Sequence, residues 1–169
     1  RGDGAGRSGM MSAMTESAPA IRTVGVPREV KTAEHRVAMT PDGVRELERF
    51  GVEVLVETGA GEGASITDAD YVAAGADIVP TAADAWAQDM VVKVKELLAP
   101  EFPFLEARHV IFTNLHGAAN RAQVDRLLAV GLIAIAAEET HPLGSPNSAL
   151  AGEVGALEGV RLVLAPHGG

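Results

Sequence analysis

The chain contains no cysteine, which excludes disulfide cross-links, thiolate metal sites and a thiol nucleophile. Aromatic residues make up only 4% of its 169 positions, so a core must be assembled from Val, Leu, Ile and Ala. Positive charge is scarce: 14 Lys and Arg stand against 23 Asp and Glu, a formal net charge of -9. Nucleic acids and anionic membranes are held chiefly by Lys and Arg, so neither is an expected partner. No apolar run reaches the length of a secretory signal or a membrane span. Together with the missing thiols, this fits a reducing cytoplasm.

What is present is an ordinary globular composition, 47% hydrophobic and 22% charged. Its length suits one domain hiding about 70% of its unfolded surface. Residues 1–20, rich in Gly, Ser and Ala, are expected to form a disordered leader. Within it the Arg1-Gly2-Asp3 triplet reads as a chance occurrence, and Met10, Met11 and Met14 are candidate starts. An α/β domain is expected over residues 21–140, followed by a divergent tail at 141–169.

From Ile21 onward, short β-branched runs alternate with helical patterns. Strands are expected at Ile21–Val26, Val52–Glu57, Met90–Lys95, Val110–Thr113 and Leu132–Ala137, with another at Val160–Leu164. Thr40-Pro41 has the form of an N-cap followed by Pro at the first helical position. The helix it opens carries Val44, Leu47 and Phe50 on one face and stops at Gly51. Thr67 with Asp70, and Thr81 with Asp84, are spaced as capping boxes, opening helices through Tyr71–Ala74 and Ala85–Ala87. Ala118–Val130 forms a further helix, with Val124, Leu127 and Leu128 on one face and Gly131 as its stop. Strands alternating with helices predict a mostly parallel sheet covered on both faces.

In such a sheet, ligands bind beyond the carboxyl ends of the strands. Three of the expected strand ends carry chemistry: Lys95, His116 and Glu138. Arg36, in the loop after the first strand, can reach the same edge. A guanidinium fork matches a carboxylate, an ammonium polarises a carbonyl, and an imidazole exchanges protons near neutral pH. The set describes a site for a small 2-oxo or 2-amino acid. Lys93 shares the strand face of Lys95 and competes for its place, and Glu138 or Glu139 could equally pair with a nearby base.

The stretch from Gly25 to Gly51, GVPREVKTAEHRVAMTPDGVRELERFG, resembles the N-terminal signature shared by alanine dehydrogenases and the alpha subunit of NAD(P) transhydrogenase. The resemblance runs on through Gly59-Ala-Gly-Glu-Gly-Ala-Ser-Ile-Thr-Asp, Val92-Lys-Val-Lys-Glu96, Phe112-Thr-Asn-Leu-His116 and Ala136-Ala-Glu138. The Lys-Val-Lys-Glu and Phe-Thr-x-Leu-His segments look like the dehydrogenase, since transhydrogenases lack that His. The resemblance implies a Rossmann-like or flavodoxin-like substrate domain. It assigns Arg36 and Lys95 to the substrate carboxylate and carbonyl, His116 to proton transfer and Glu138 to support of the pocket. The implied reaction is NAD-dependent conversion of L-alanine and water to pyruvate and ammonia, in an oligomer. Two positions depart from the family: Ala33, where Asn is usual, and Asn114, where an aromatic residue is usual, which bears on substrate shape.

Gly59-x-Gly61-x-x-Ala64 fits a relaxed dinucleotide fingerprint. It lacks the acidic residue about twenty positions on that ribose binding requires, and Thr67 caps the following helix better. The resemblance places the true nucleotide-binding half beyond residue 169. Ser148 or Gly152 falls where the family has a cofactor-contacting Ser. This stretch alone is therefore expected to bind pyruvate weakly and to show no turnover. Other readings are a transhydrogenase alpha-subunit domain, a repurposed module binding an amino or keto acid, or an enzyme of the saccharopine dehydrogenase kind.

Overall fold

The computed structural model describes residues 20–140; the expected leader up to residue 19, the tail with the strand expected at 160–164, Ser148 and Gly152 lie outside the described residues. The β-branched runs form six strands: β1 (Thr23–Val26), β2 (Glu53–Glu57), β3 (Asp77–Val79), β4 (Met90–Val92), β5 (Val110–Thr113) and β6 (Ile133–Ala136). All neighbouring pairs are parallel, in the order β3-β2-β1-β4-β5-β6. This is the doubly wound α/β class, with the Rossmann rather than the flavodoxin strand order.

Helices α1 (Pro41–Arg49), α2 (Asp68–Ala74), α3 (Ala82–Trp86) and α4 (Arg121–Val130) lie between the strands. Alternation along the strands sends side chains to two cores. Val24, Val26, Val54, Val56 and Val92 pack with Val44 of α1 and with Tyr71 and Ala74 of α2. Val91 and Ile111 pack on the other side with Trp86 of α3 and Leu127 of α4. Gly25 faces that second side, where a Cβ would lie 1.8 Å from the carbonyl oxygen of Ala85. Only glycine lets α3 rest directly on β1.

The expected stops and caps are present. Thr40 caps α1 with Pro41 as its first residue, both Thr-Asp capping boxes form, and Gly131 ends α4 in the left-handed conformation at φ 77°.

Four details differ from the sequence reading. Strand β3 was not expected; it has three half-exposed or exposed residues and little pattern to read. β4 ends at Val92, because the Val94 N–H is taken by the Glu29 carboxylate at 2.6 Å instead of by a neighbouring strand. Phe50 is 81% exposed, since at 3.6 residues per turn it lies about 120° around the helix from buried Val44. Leu128 is 74% exposed; the buried stripe of α4 runs through Gln123 and Leu127 instead. Gln123 is satisfied there, accepting from Leu97 N and donating to Leu115 O at 2.7 Å.

Candidate active site

Strand order reverses between β1 and β4, so the loops leaving these strands diverge and open a crevice at their carboxyl ends. A cavity of about 320 Å³ occupies it. Its wall includes Arg36 from the loop after β1, Ile66 after β2, Lys93 after β4, Phe112 and Asn114 at the end of β5, and Ala137 after β6. The side chain of Asn114 does not point to a partner of its own strand. It donates to the Val94 carbonyl at 2.7 Å and ties two of these loops together.

Arg36 grips Glu34 with two nitrogens, Nε at 2.8 Å and Nη2 at 2.6 Å, and its own N–H also donates to Glu34 at 2.9 Å. The Arg36 hydrogen bonds, against the opposing effect of burial, hold the Glu34 carboxyl down at about 2, and the charge of Lys95 adds to this. The same pairing raises the guanidinium above its ordinary value. Arg36 is thus paired with Glu34, and the more distant Lys95 charge acts on the same carboxylate. Lys95 lies three residues past the end of β4, half-buried, with its carbonyl accepting the Thr113 hydroxyl at 2.7 Å. It is not on the cavity wall.

Lys93, the competitor for that place, has another occupation. Its side chain is fully buried, and Nζ lies 2.8 Å from Glu29 and 2.9 Å from Glu101. Burial pushes the Glu101 carboxyl up, against the pull of the Lys93 charge. Two carboxylates therefore surround this ammonium, and although Lys93 lines the cavity its charge is already answered.

His116 begins a single 3-10 turn in a left-handed conformation, φ 46° and ψ 41°. Glu138 holds that backbone: its two oxygens accept from Leu115 N at 3.0 Å and His116 N at 2.8 Å. Burial works to raise the Glu138 carboxyl, yet these N–H donors bring it below its ordinary value. Glu138 supports the main chain that carries His116. The ring itself meets Glu96, with Nδ1 3.3 Å from Oε2, and Lys31 salt-bridges the other Glu96 oxygen. Of the four residues singled out in the sequence, only Arg36 lies on the cavity wall; Lys95 stands two residues past the wall residue Lys93, while His116 and Glu138 form a second group on the same sheet edge. The residues overlooked are the carboxylates Glu34, Glu96, Glu29 and Glu101. The first three lie within the quoted motifs; Glu34 pairs with Arg36 two residues away, whereas the partners of Glu29 and Glu96 are up to 65 residues off and leave no local pattern.

The glycine loop after β2 does not fit a nicotinamide dinucleotide. Its pyrophosphate would need free backbone N–H groups at a helix start, but Asp68 already accepts from Gly59 N at 2.8 Å and from the Thr58 hydroxyl at 2.7 Å. Gly61 and Gly63 pack so closely that a Cβ would sit 2.7 Å from Ile66 O and 2.6 Å from His35 O. The glycines serve loop packing. No group of three or more His, Asp or Glu able to hold a metal occurs among the described residues.

The family described as "Alanine dehydrogenase/PNT, N-terminal domain" matches residues 25–148. The alanine dehydrogenase of Mycobacterium tuberculosis is 47% identical over 153 residues, covering 86% of this chain and 41% of that protein. The alanine dehydrogenase of Bilophila wadsworthia is 43% identical over 152 residues, with 86% and 40% covered. A solved L-alanine dehydrogenase superposes with a TM-score of 0.80 at 44% identity, over 87% of this chain and 42% of that one. A transhydrogenase from Sinorhizobium meliloti gives a TM-score of 0.65 at 33% identity, over 69% and 35%. The chain spans about two fifths of the length of the curated relatives it matches.

Proposed function

The chain belongs to the alanine dehydrogenase/PNT N-terminal domain family, and from that premise we propose that it forms the substrate-binding part of an NAD-dependent L-alanine dehydrogenase. The observation that carries this reading is Arg36 on the wall of the crevice where strand order reverses, with Lys95 two residues past the wall residue Lys93. The ligand is a small 2-oxo or 2-amino acid, pyruvate or L-alanine.

In this reading Arg36 holds the substrate carboxylate; Nη1 has no hydrogen-bond partner among the described residues. Lys95 draws electron density from the carbonyl oxygen of pyruvate. His116 is the proton-transfer group, holding or releasing a proton beside the substrate's amino or carbonyl group. Glu138 fixes His116 by holding its main chain. The residues of the glycine loop do not fit NAD, so hydride transfer is assigned to none of the groups described above.

An NMR titration of this chain with pyruvate tests the proposal. Shifts are expected at residues 36–40, 93–95 and 114–116, and Arg36→Met is expected to abolish them. Unchanged pyruvate binding by Arg36→Met would remove the proposed site. NADH oxidation with pyruvate and ammonium is expected to be absent for this chain, because no group among the described residues positions a nicotinamide against the substrate.

A further inference from the structure

We propose that Glu96 is a positioning residue that keeps the neutral His116 ring protonated at Nδ1, with Lys31 behind it, so that Nε2 is the basic nitrogen offered to the small acid. The proposal rests on the reading of His116 as the proton-transfer group.

Three loops meet here: Lys31 follows β1, Glu96 follows β4 and His116 follows β5. Glu96 uses one oxygen for Lys31 and the other for His116 Nδ1. An ionised carboxylate only accepts hydrogen bonds, so the ring nitrogen facing it must carry the hydrogen. Glu96 is ionised across the neutral range. Burial, the largest influence, pushes its carboxyl up, but the bonds from Lys31, its own backbone and His116 bring it to about 2. With Nδ1 as donor, the lone pair of the neutral ring lies on Nε2, which has no partner among the described residues.

The main chain of His116 is fixed independently by Glu138. One carboxylate therefore places the residue and another sets its ring, the division of labour by which an acid partner fixes a catalytic imidazole. An ordinary surface ion pair makes no such demand. The His116 side chain is 47% exposed, and a contact of that kind adds little stability, so stability measurements cannot decide the matter. The tautomer can.

The experiment is NMR of the ring nitrogens of this chain, labelled at histidine, at an alkaline pH where histidines are neutral. In the wild type, His116 is expected to carry its proton on Nδ1 with Nε2 unprotonated. In Glu96→Ala the Nε2-protonated form should become the major one, and the pyruvate dissociation constant should rise about tenfold, as when an orienting carboxylate is lost elsewhere. An Nε2-protonated ring in the wild type overturns the proposal whether or not pyruvate binds, and needs no variant to fold. An unchanged tautomer in folded Glu96→Ala overturns it too. Absence of pyruvate binding alongside an Nδ1-protonated ring would instead overturn the substrate reading, so the two failures are distinguishable.

Discussion

Lys93 sets its ammonium 2.8 Å from Glu29 Oε2, and neither side chain meets solvent beyond 3%. The pair fastens the loop after β1 to the end of β4 across 64 residues of chain, and Glu101 closes the cluster from the other side at 2.9 Å. Removing the cation would leave two buried carboxylates facing each other. Lys93→Met is expected to lower unfolding stability by about 3–5 kcal/mol, read by urea denaturation. Lys95→Met should change it by less than about 1 kcal/mol. Equal losses from both would contradict the division between a buried, doubly paired lysine and a half-buried one.

Glu34 and Glu96 give the protein an acid limb. Both carboxyls are lowered from 4.5 to about 2 in the folded state, so the unfolded chain binds more protons in between. Their stabilisation is complete above the ordinary glutamate value and is lost as pH falls from about 4.5 towards 2. Glu101 runs the other way: its raised carboxyl favours folding at low pH, a benefit lost as pH rises through the raised value. Unfolding followed against pH should show the slope between 4.5 and 2 reduced in Glu34→Gln and again in Glu96→Gln. An unaltered slope in both would show that neither pairing holds in solution.

Gly25→Ala tests the seating of α3. A methyl group 1.8 Å from the Ala85 carbonyl cannot be accommodated by turning a side chain, because the obstacle is backbone. We expect a loss of about 3 kcal/mol or more, visible as a large fall in melting temperature or as failure to fold. Gly131→Ala, where a Cβ would meet nothing within 4 Å, should cost only the strain of its positive φ, about 1 kcal/mol.

Tyr71 is fully buried and donates its hydroxyl to the Met39 carbonyl at 2.6 Å, and burial pushes its phenol up to about 12. Tyr71→Phe keeps the packing and leaves that carbonyl without its donor. The expected cost is about 1–2 kcal/mol, with the loss measured by chemical denaturation.

The elements most legible in the sequence were those with an end marked by chemistry. Thr40-Pro41, the two Thr-Asp boxes and Gly131 each name a helix boundary that the structure keeps. β3 escaped because a three-residue edge strand shows no period. Phe50 and Leu128 misled for a different reason: each is apolar but sits outside the buried arc of its helix. Gln123 was overlooked as core because its burial depends on two backbone partners, Leu97 and Leu115, supplied by other loops. At the candidate site, Arg36, Lys95, His116 and Glu138 were picked out by type and strand end, and of these the cavity wall includes Arg36. What they touch was not: Glu96 meets Lys31 and His116 only when three loops converge, and the pairing of Glu34 with Arg36, though local, carries no recognisable spacing.

The close approach of Gly63 to the main chain at His35 braces the loop bearing Arg36 against the loop after β2, backbone to backbone. If the proposed acid enters beside a wall braced in this way, little ordering of the main chain is expected to accompany it, which keeps the entropic penalty small. Selectivity would then come from the fixed shape of the opening rather than from closure around the guest.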